Sequence, residues 1–225
     1  MSLIPDTGTR ENGGDRDLRL LARALNGIGT PWVLTLVGLS GLWLDDFAVV
    51  PFLWFAPPFL LTRLWIAARL PTVPARHLWW SAFVVGLSAW GVAVAASLLG
   101  ELETVYIAHW AGVSAGATLF CAAMLAVTRS LGWSGRTERW RAALTTALFG
   151  SATFVISTVL LLAAEPVGGG SAPAWIFWGY VVGVVSFVSW MVALFRVARS
   201  LRATRAGLTD SDAQSRLFST GVTGA

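Results

Sequence analysis

Lysine is absent from this chain: all 16 basic residues among its 225 are arginine. No Schiff base to a retinal or pyridoxal aldehyde is therefore available, and lysine nucleophiles are excluded. Cysteine occurs once, as Cys121 inside an apolar run, which rules out an intramolecular disulfide and a CxxC redox pair. Two histidines, His77 and His109, are too few to build a haem or zinc site. No metal or cofactor is expected.

Charge is scarce as well. Only 12% of residues are charged, about half of what a soluble domain uses to keep its surface wet. No Asp or Glu falls deep within an apolar run, which argues against proton- or sodium-coupled transport and against carboxylate-dependent membrane enzymes. No Walker, Rossmann or metal-ligand spacing is present. The glycine-rich Val167–Pro173 stretch has no nucleotide-binding context and reads as a connector.

What is present is apolar: 56% of the chain is hydrophobic, with a mean hydropathy of +0.67. Six runs over 28–44, 47–68, 78–99, 105–128, 142–164 and 173–195 each approach the ~20 residues that cross hydrocarbon as a helix. Uninterrupted apolarity favours helices over the alternating strands of a barrel. The fold expected is all-α, a polytopic membrane protein with six transmembrane helices. Residues 1–27 form an N-terminal segment, 28–199 the bundle, and 200–225 a small, polar tail expected to be disordered. The polar start is expected to hold no cleavable signal peptide, and the first run to act as the insertion signal.

Arginine orients the bundle. Arg10, Arg16, Arg19 and Arg23 precede span 1; Arg63, Arg69 and Arg76 lie where spans 2 and 3 join. Arg129, Arg136, Arg139 and Arg141 lie between spans 4 and 5, and five more follow span 6. The remaining connections carry Asp45, Asp46, Glu101, Glu103 and Glu165 instead. The positive-inside rule puts the arginine side, and both termini, in the cytoplasm of a cell membrane. The basic balance thus reflects topology and implies no nucleic-acid partner. Leu18, Leu21, Ala22 and Leu25 share a helical face largely free of Arg16, Arg19 and Arg23. That pattern suits an interfacial amphipathic helix or an extension of span 1.

The 13 tryptophans read as interfacial belts. Trp32, Trp65, Trp79, Trp80, Trp133 and Trp140 are expected at the inner interface, and Trp43, Trp110, Trp175 and Trp178 at the outer one. Trp54 and Trp90 fall near mid-membrane, where an indole N–H seeks a partner. With Arg63 they form the candidate ligand-binding set for an anionic or weakly polar molecule, although Arg63 lies close enough to the inner interface to snorkel.

Small residues recur at spacing four in Ala108, Gly112 and Gly116 and in Gly179 and Gly183, with Thr146/Gly150 and Gly91/Ala95 in spans 5 and 3. Such stripes let backbones approach in lipid and are expected to pack helices together. Span 2 carries Pro51, Pro57 and Pro58, which free backbone carbonyls and kink the helix. Its counterpart in an inverted repeat, span 5, has no proline, and no internal similarity supports such a repeat.

One stretch suggests chemistry. Ala108-His109-Trp110-Ala111-Gly112-Val113-Ser114-Ala115-Gly116 resembles the AHxxGxxxG pattern of the histidine helix in rhomboid intramembrane proteases. Gly38-Leu39-Ser40-Gly41 resembles that family's GxSG serine motif. The resemblance implies a catalytic dyad of Ser40 and His109. In rhomboids the two helices run in the same direction with one helix between them, whereas here span 1 runs outward, span 4 inward, and two spans intervene. His109 is therefore expected to pack at the outer interface, satisfied by Tyr106, Ser114 or water. The GxSxG string at 112–116 lacks the strand-to-helix turn of a hydrolase elbow.

Three functional classes follow, in order. The first is a non-catalytic subunit or sensory and regulatory partner, whose partners are the bilayer and another membrane protein or further copies of itself. The second is an uncoupled permease or channel for a weakly polar or lipid-like solute. The third is a membrane enzyme using His109.

Overall fold

The computed structural model describes residues 13–43, 51–164 and 172–221. All seven elements are α-helices: α1 (Gly13–Leu25), α2 (Gly29–Trp43), α3 (Pro51–Arg69), α4 (Arg76–Leu98), α5 (Leu102–Ser130), α6 (Ser134–Ala164) and α7 (Ala172–Gly221). Five of them, α3 to α7, are long and apolar enough to cross a membrane. α2 is shorter, at 15 residues. In hydrocarbon each backbone N–H and C=O must pair within its own segment, so apolar runs of this length settle as helices. Each of α2 to α6 packs against the next in sequence, while α1 touches α3 and α7 and α2 touches α5.

The turns are written in glycine. α4 ends at Gly100 (φ +79°), with Glu101 N–H donating to the Ala96 carbonyl at 2.9 Å and Gly100 N–H to Ser97 at 3.2 Å. α5 ends the same way at Gly132 (φ +68°), where Trp133 N–H reaches Thr128 and Gly132 N–H reaches Arg129, both at 3.0 Å. Both pairs are Schellman closures, which need a left-handed residue after the cap.

The helix before span 1 is separate from it. A turn through Gly27 (φ +84°) divides α1 from α2. Its apolar face docks on the bundle: Leu21 and Leu25 are buried, and Leu18 and Ala22 pack against the core. Asp17 fastens it further, its Oδ2 accepting from Thr72 Oγ1 at 2.7 Å and Thr72 N–H at 3.2 Å. The face that suggests a lipid surface in sequence is thus turned toward protein.

Three aromatics organise the arginine-bearing end. The Trp79 ring meets Phe120 edge-on at 5.7 Å, and Phe120 meets Trp140 edge-on at 5.7 Å, both at the separation favoured by the ring quadrupoles. Trp140 then donates from Nε1 to Thr204 Oγ1 at 3.0 Å. Four helices are tied in one line. The interfacial belt expected from sequence is corrected here: Trp79, Trp140 and Trp110 are buried within the bundle, whereas Trp65, Trp175 and Trp178 are exposed. Position along a span reports depth in the membrane, but only packing decides whether a ring faces lipid or a neighbouring helix.

α7 corrects the expected tail. The helix continues to Gly221, through residues 200–221 that composition alone assigns to disorder. Arg, Ala and Leu recur in Arg199–Leu208 and are strong helix formers. Val197, Leu201, Thr204 and Leu208 are buried, so tertiary contact adds to that propensity.

Candidate functional site

The two prolines of α3 create a specific chemical need. A helical N–H at residue i bonds the carbonyl at i−4. Proline has no N–H, so Pro57 and Pro58 leave the carbonyls of Leu53 and Trp54 without their helical donors. Lower in the helix, Thr62 Oγ1 donates to the Pro58 carbonyl at 2.8 Å.

His109 answers the first of these needs. It lies on α5, is 6% exposed, and places Nε2 3.0 Å from the Leu53 carbonyl. Its Nδ1 lies 3.0 Å from the carbonyl of Val105, one turn earlier on the same helix. A neutral imidazole carries one N–H. The Val105 carbonyl is already the i−4 acceptor of the His109 backbone N–H, whereas Leu53 has lost its donor to Pro57. Assignment by the hydrogen-bond network therefore puts the proton on Nε2, donating to Leu53. The lone pair that remains on Nδ1 faces the Val105 carbonyl 3.0 Å away, which occupies the position a serine hydroxyl or a metal would take. Among the described residues no cluster of three or more His, Cys, Asp or Glu could hold a metal ion.

Close backbone approach sets this geometry. A Cβ on Gly112 would sit 2.5 Å from Ala89 Cβ, so only glycine lets α5 lie this near α4. A Cβ on Gly38 would fall 2.8 Å from the Leu53 side chain. Leu53 is thus seated between α2 and α5. Ser40 belongs to α2, but its side chain lies outside the described residues, as do those of Glu103 and Tyr106. Asp45, Asp46, Glu165 and most of the Val167–Pro173 stretch fall outside them too.

A small cavity of about 50 Å³ adjoins the prolines of α3, with Thr35, Pro57, Gly86, Trp90, His109 and Gly116 in its wall. That wall is mainly apolar. The Trp90 Nε1–H is buried with no hydrogen-bond partner, as is the Ser114 hydroxyl. Trp54 is half-buried against the core, and Arg63 lies on the exposed side of α3, away from the cavity wall. The structure therefore brings Trp90 and His109 together and leaves Arg63 apart from them. His77 is exposed at the start of α4.

The remaining small residues divide by what they meet. Ala108 packs against the core, while Gly116 faces open space at the cavity. Gly179 receives the Leu161 side chain, and Gly183 lies against Ser157 Oγ. Between α6 and α7, Ser157 Oγ donates to the Gly179 carbonyl and Ser186 Oγ to the Gly150 carbonyl, each at 2.8 Å. Arg196 Nη1 adds the Ala142 carbonyl at 3.2 Å and the Thr146 hydroxyl.

Leu53 is the functional position that sequence reasoning misses, because a carbonyl has no letter of its own. The signal was the offset of four residues from Pro57, together with a histidine in need of a partner elsewhere. No protein-family model, curated protein or solved structure matches this chain.

Proposed function

We propose that this is a non-catalytic integral membrane protein acting as a subunit or a sensory and regulatory partner in a membrane assembly. Six spans with both termini in the cytoplasm of a cell membrane complete the reading. The observation that carries it is the engagement of His109: both ring nitrogens face backbone carbonyls at 3.0 Å, so the one histidine within the bundle serves the fold. A histidine base for Ser40 would need Nε2 or Nδ1 free. The permease reading finds less support, because the cavity beside Pro57, at about 50 Å³, is roughly a third of an apolar cavity that admits benzene.

Topology is supported by where arginine gathers. Asp17 on α1 binds Thr72 in the α3–α4 turn, and Trp140 near the start of α6 binds Thr204 on α7. These contacts bring the arginine-bearing segments toward one end of the bundle. Positive charge retained on the cytoplasmic side is what the insertion rule selects.

Two measurements test this reading. Native mass spectrometry from mild detergent is expected to show the chain with a second membrane protein or in multiple copies; a monomer at every protein concentration would overturn the subunit role. Cysteine labelling from outside intact cells, with single cysteines placed at residue 168 or 225 of a Cys121→Ala variant, is expected to modify 168 only.

A further inference from the structure

We infer that α3 is a two-segment helix whose joint is closed by His109, a side-chain latch reaching across from α5. This goes beyond the assembly role and does not depend on it. Three observations converge on the joint. Pro57 removes the N–H that would bond the Leu53 carbonyl within α3. The His109 Nε2–H stands 3.0 Å from that carbonyl and supplies the missing donor. The cavity lies on the same side of the joint, with Pro57 and His109 in its wall.

The two segments are held unequally. Below the joint, Leu61, Leu64, Ala67 and Ala68 are buried, and Leu61 fits against Gly86 of α4. Above it, only Leu53 and Ala56 are buried, while Phe55 and Phe59 are exposed on either side of the prolines. The upper segment is thus held by the Leu53 side chain at Gly38, by Ala56 and half-buried Trp54, and by the His109 bond. Leu53 and His109 are both buried, so the carbonyl stays paired as long as His109 donates. Its release frees the upper segment to swing on Pro57–Pro58 and widens the cavity between α3 and α5. Hinges of this kind sit at element-terminal positions that absorb backbone change.

The latch makes a sharp genetic prediction: restoring the backbone donor must make the histidine dispensable. Backbone hydrogen exchange and thermal unfolding of the full chain in detergent read this out for His109→Leu, Pro57→Ala and the double variant. His109→Leu is expected to speed exchange of the 52–56 amides about tenfold and to lower Tm by about 5 °C, with amides of 61–69 unchanged. Pro57→Ala supplies an N–H to Leu53, so the double variant is expected to regain most of both losses. His109→Gln, whose amide N–H can reach a carbonyl, is expected to fall between wild type and His109→Leu; it also serves if the leucine variant does not fold. Equal losses in His109→Leu and the double variant would overturn the latch. So would a His109→Leu protein whose 52–56 amides exchange at the wild-type rate.

Discussion

The Trp140 indole N–H donates to Thr204 Oγ1 at 3.0 Å across a sequence separation of 64, and both groups are fully buried. This bond joins the beginning of α6 to the C-terminal part of α7. Trp140→Phe keeps most of the ring and loses the donor. The Thr204 hydroxyl can turn to its own helix, bonding the carbonyl at i−4, so the expected cost is about 1 kcal/mol. Trp140→Ala also removes the edge contact with Phe120 and leaves a cavity, for about 3–5 kcal/mol. Thermal unfolding in detergent separates the two; equal losses would place the energy in the hydrogen bond.

The glycine stripe of α5 is not uniform, and two alanine substitutions show why. At Gly112 an added Cβ meets Ala89 Cβ at 2.5 Å, and Ala89 has no flexible end to move. Separating α4 from α5 at that point is expected to cost about 1–3 kcal/mol. At Gly116 nothing lies within 4 Å of an added Cβ, so Gly116→Ala is expected to be neutral or stabilising through its gain in helix propensity, up to about 1 kcal/mol. A matching loss at both positions would mean that the cavity at Gly116 is filled.

Asp17 decides whether α1 stays docked. Its Oδ2 accepts two bonds from Thr72, one from the hydroxyl and one from the backbone N–H. Asp17→Ala removes both bonds and is expected to expose α1 to trypsin at Arg16, Arg19 and Arg23, cutting several-fold faster than in wild type. Asp17→Asn keeps an acceptor oxygen, loses the charge assistance, and is expected to cut at an intermediate rate. Identical digestion of all three proteins would show that the apolar face, through Leu21 and Leu25, holds α1 by itself.

Most of the architecture was legible because lipid leaves a chain so few choices. Apolar runs announced α3 to α7. Facing was not legible. Trp79, Trp140 and Trp110 carry the same composition signal as Trp175 and Trp178, yet the first three point into the bundle. The helicity of residues 200–221 was hidden for a related reason, since burial of Val197, Leu201, Thr204 and Leu208 depends on contacts from elsewhere in the chain. At the candidate site, His109 and the two prolines each stood out in sequence. Their connection ran through a backbone carbonyl, and no residue pattern marks which carbonyl a distant side chain will reach.

Gly150 and Gly183 test whether the α6–α7 pair is held by shape or by hydrogen bonds. A Cβ on Gly150 would meet the Trp190 ring at 3.0 Å, and that ring is itself buried and rigid. Gly150→Ala must therefore move a helix, and it also disturbs the carbonyl that accepts from Ser186. A Cβ on Gly183 would meet only Ser157 Oγ, likewise at 3.0 Å. That hydroxyl can rotate away at the loss of its bond to Gly179, which within a membrane is worth about 0.6 kcal/mol on average. Gly150→Ala is expected to cost about 1–3 kcal/mol, clearly more than Gly183→Ala. Ser157→Ala should match Gly183→Ala in loss, and combining the two should add little, because both act on one hydroxyl. Thermal unfolding of the four variants in the same detergent decides the matter: Gly150→Ala and Gly183→Ala with equal cost would mean that Trp190 yields as readily as a serine rotamer.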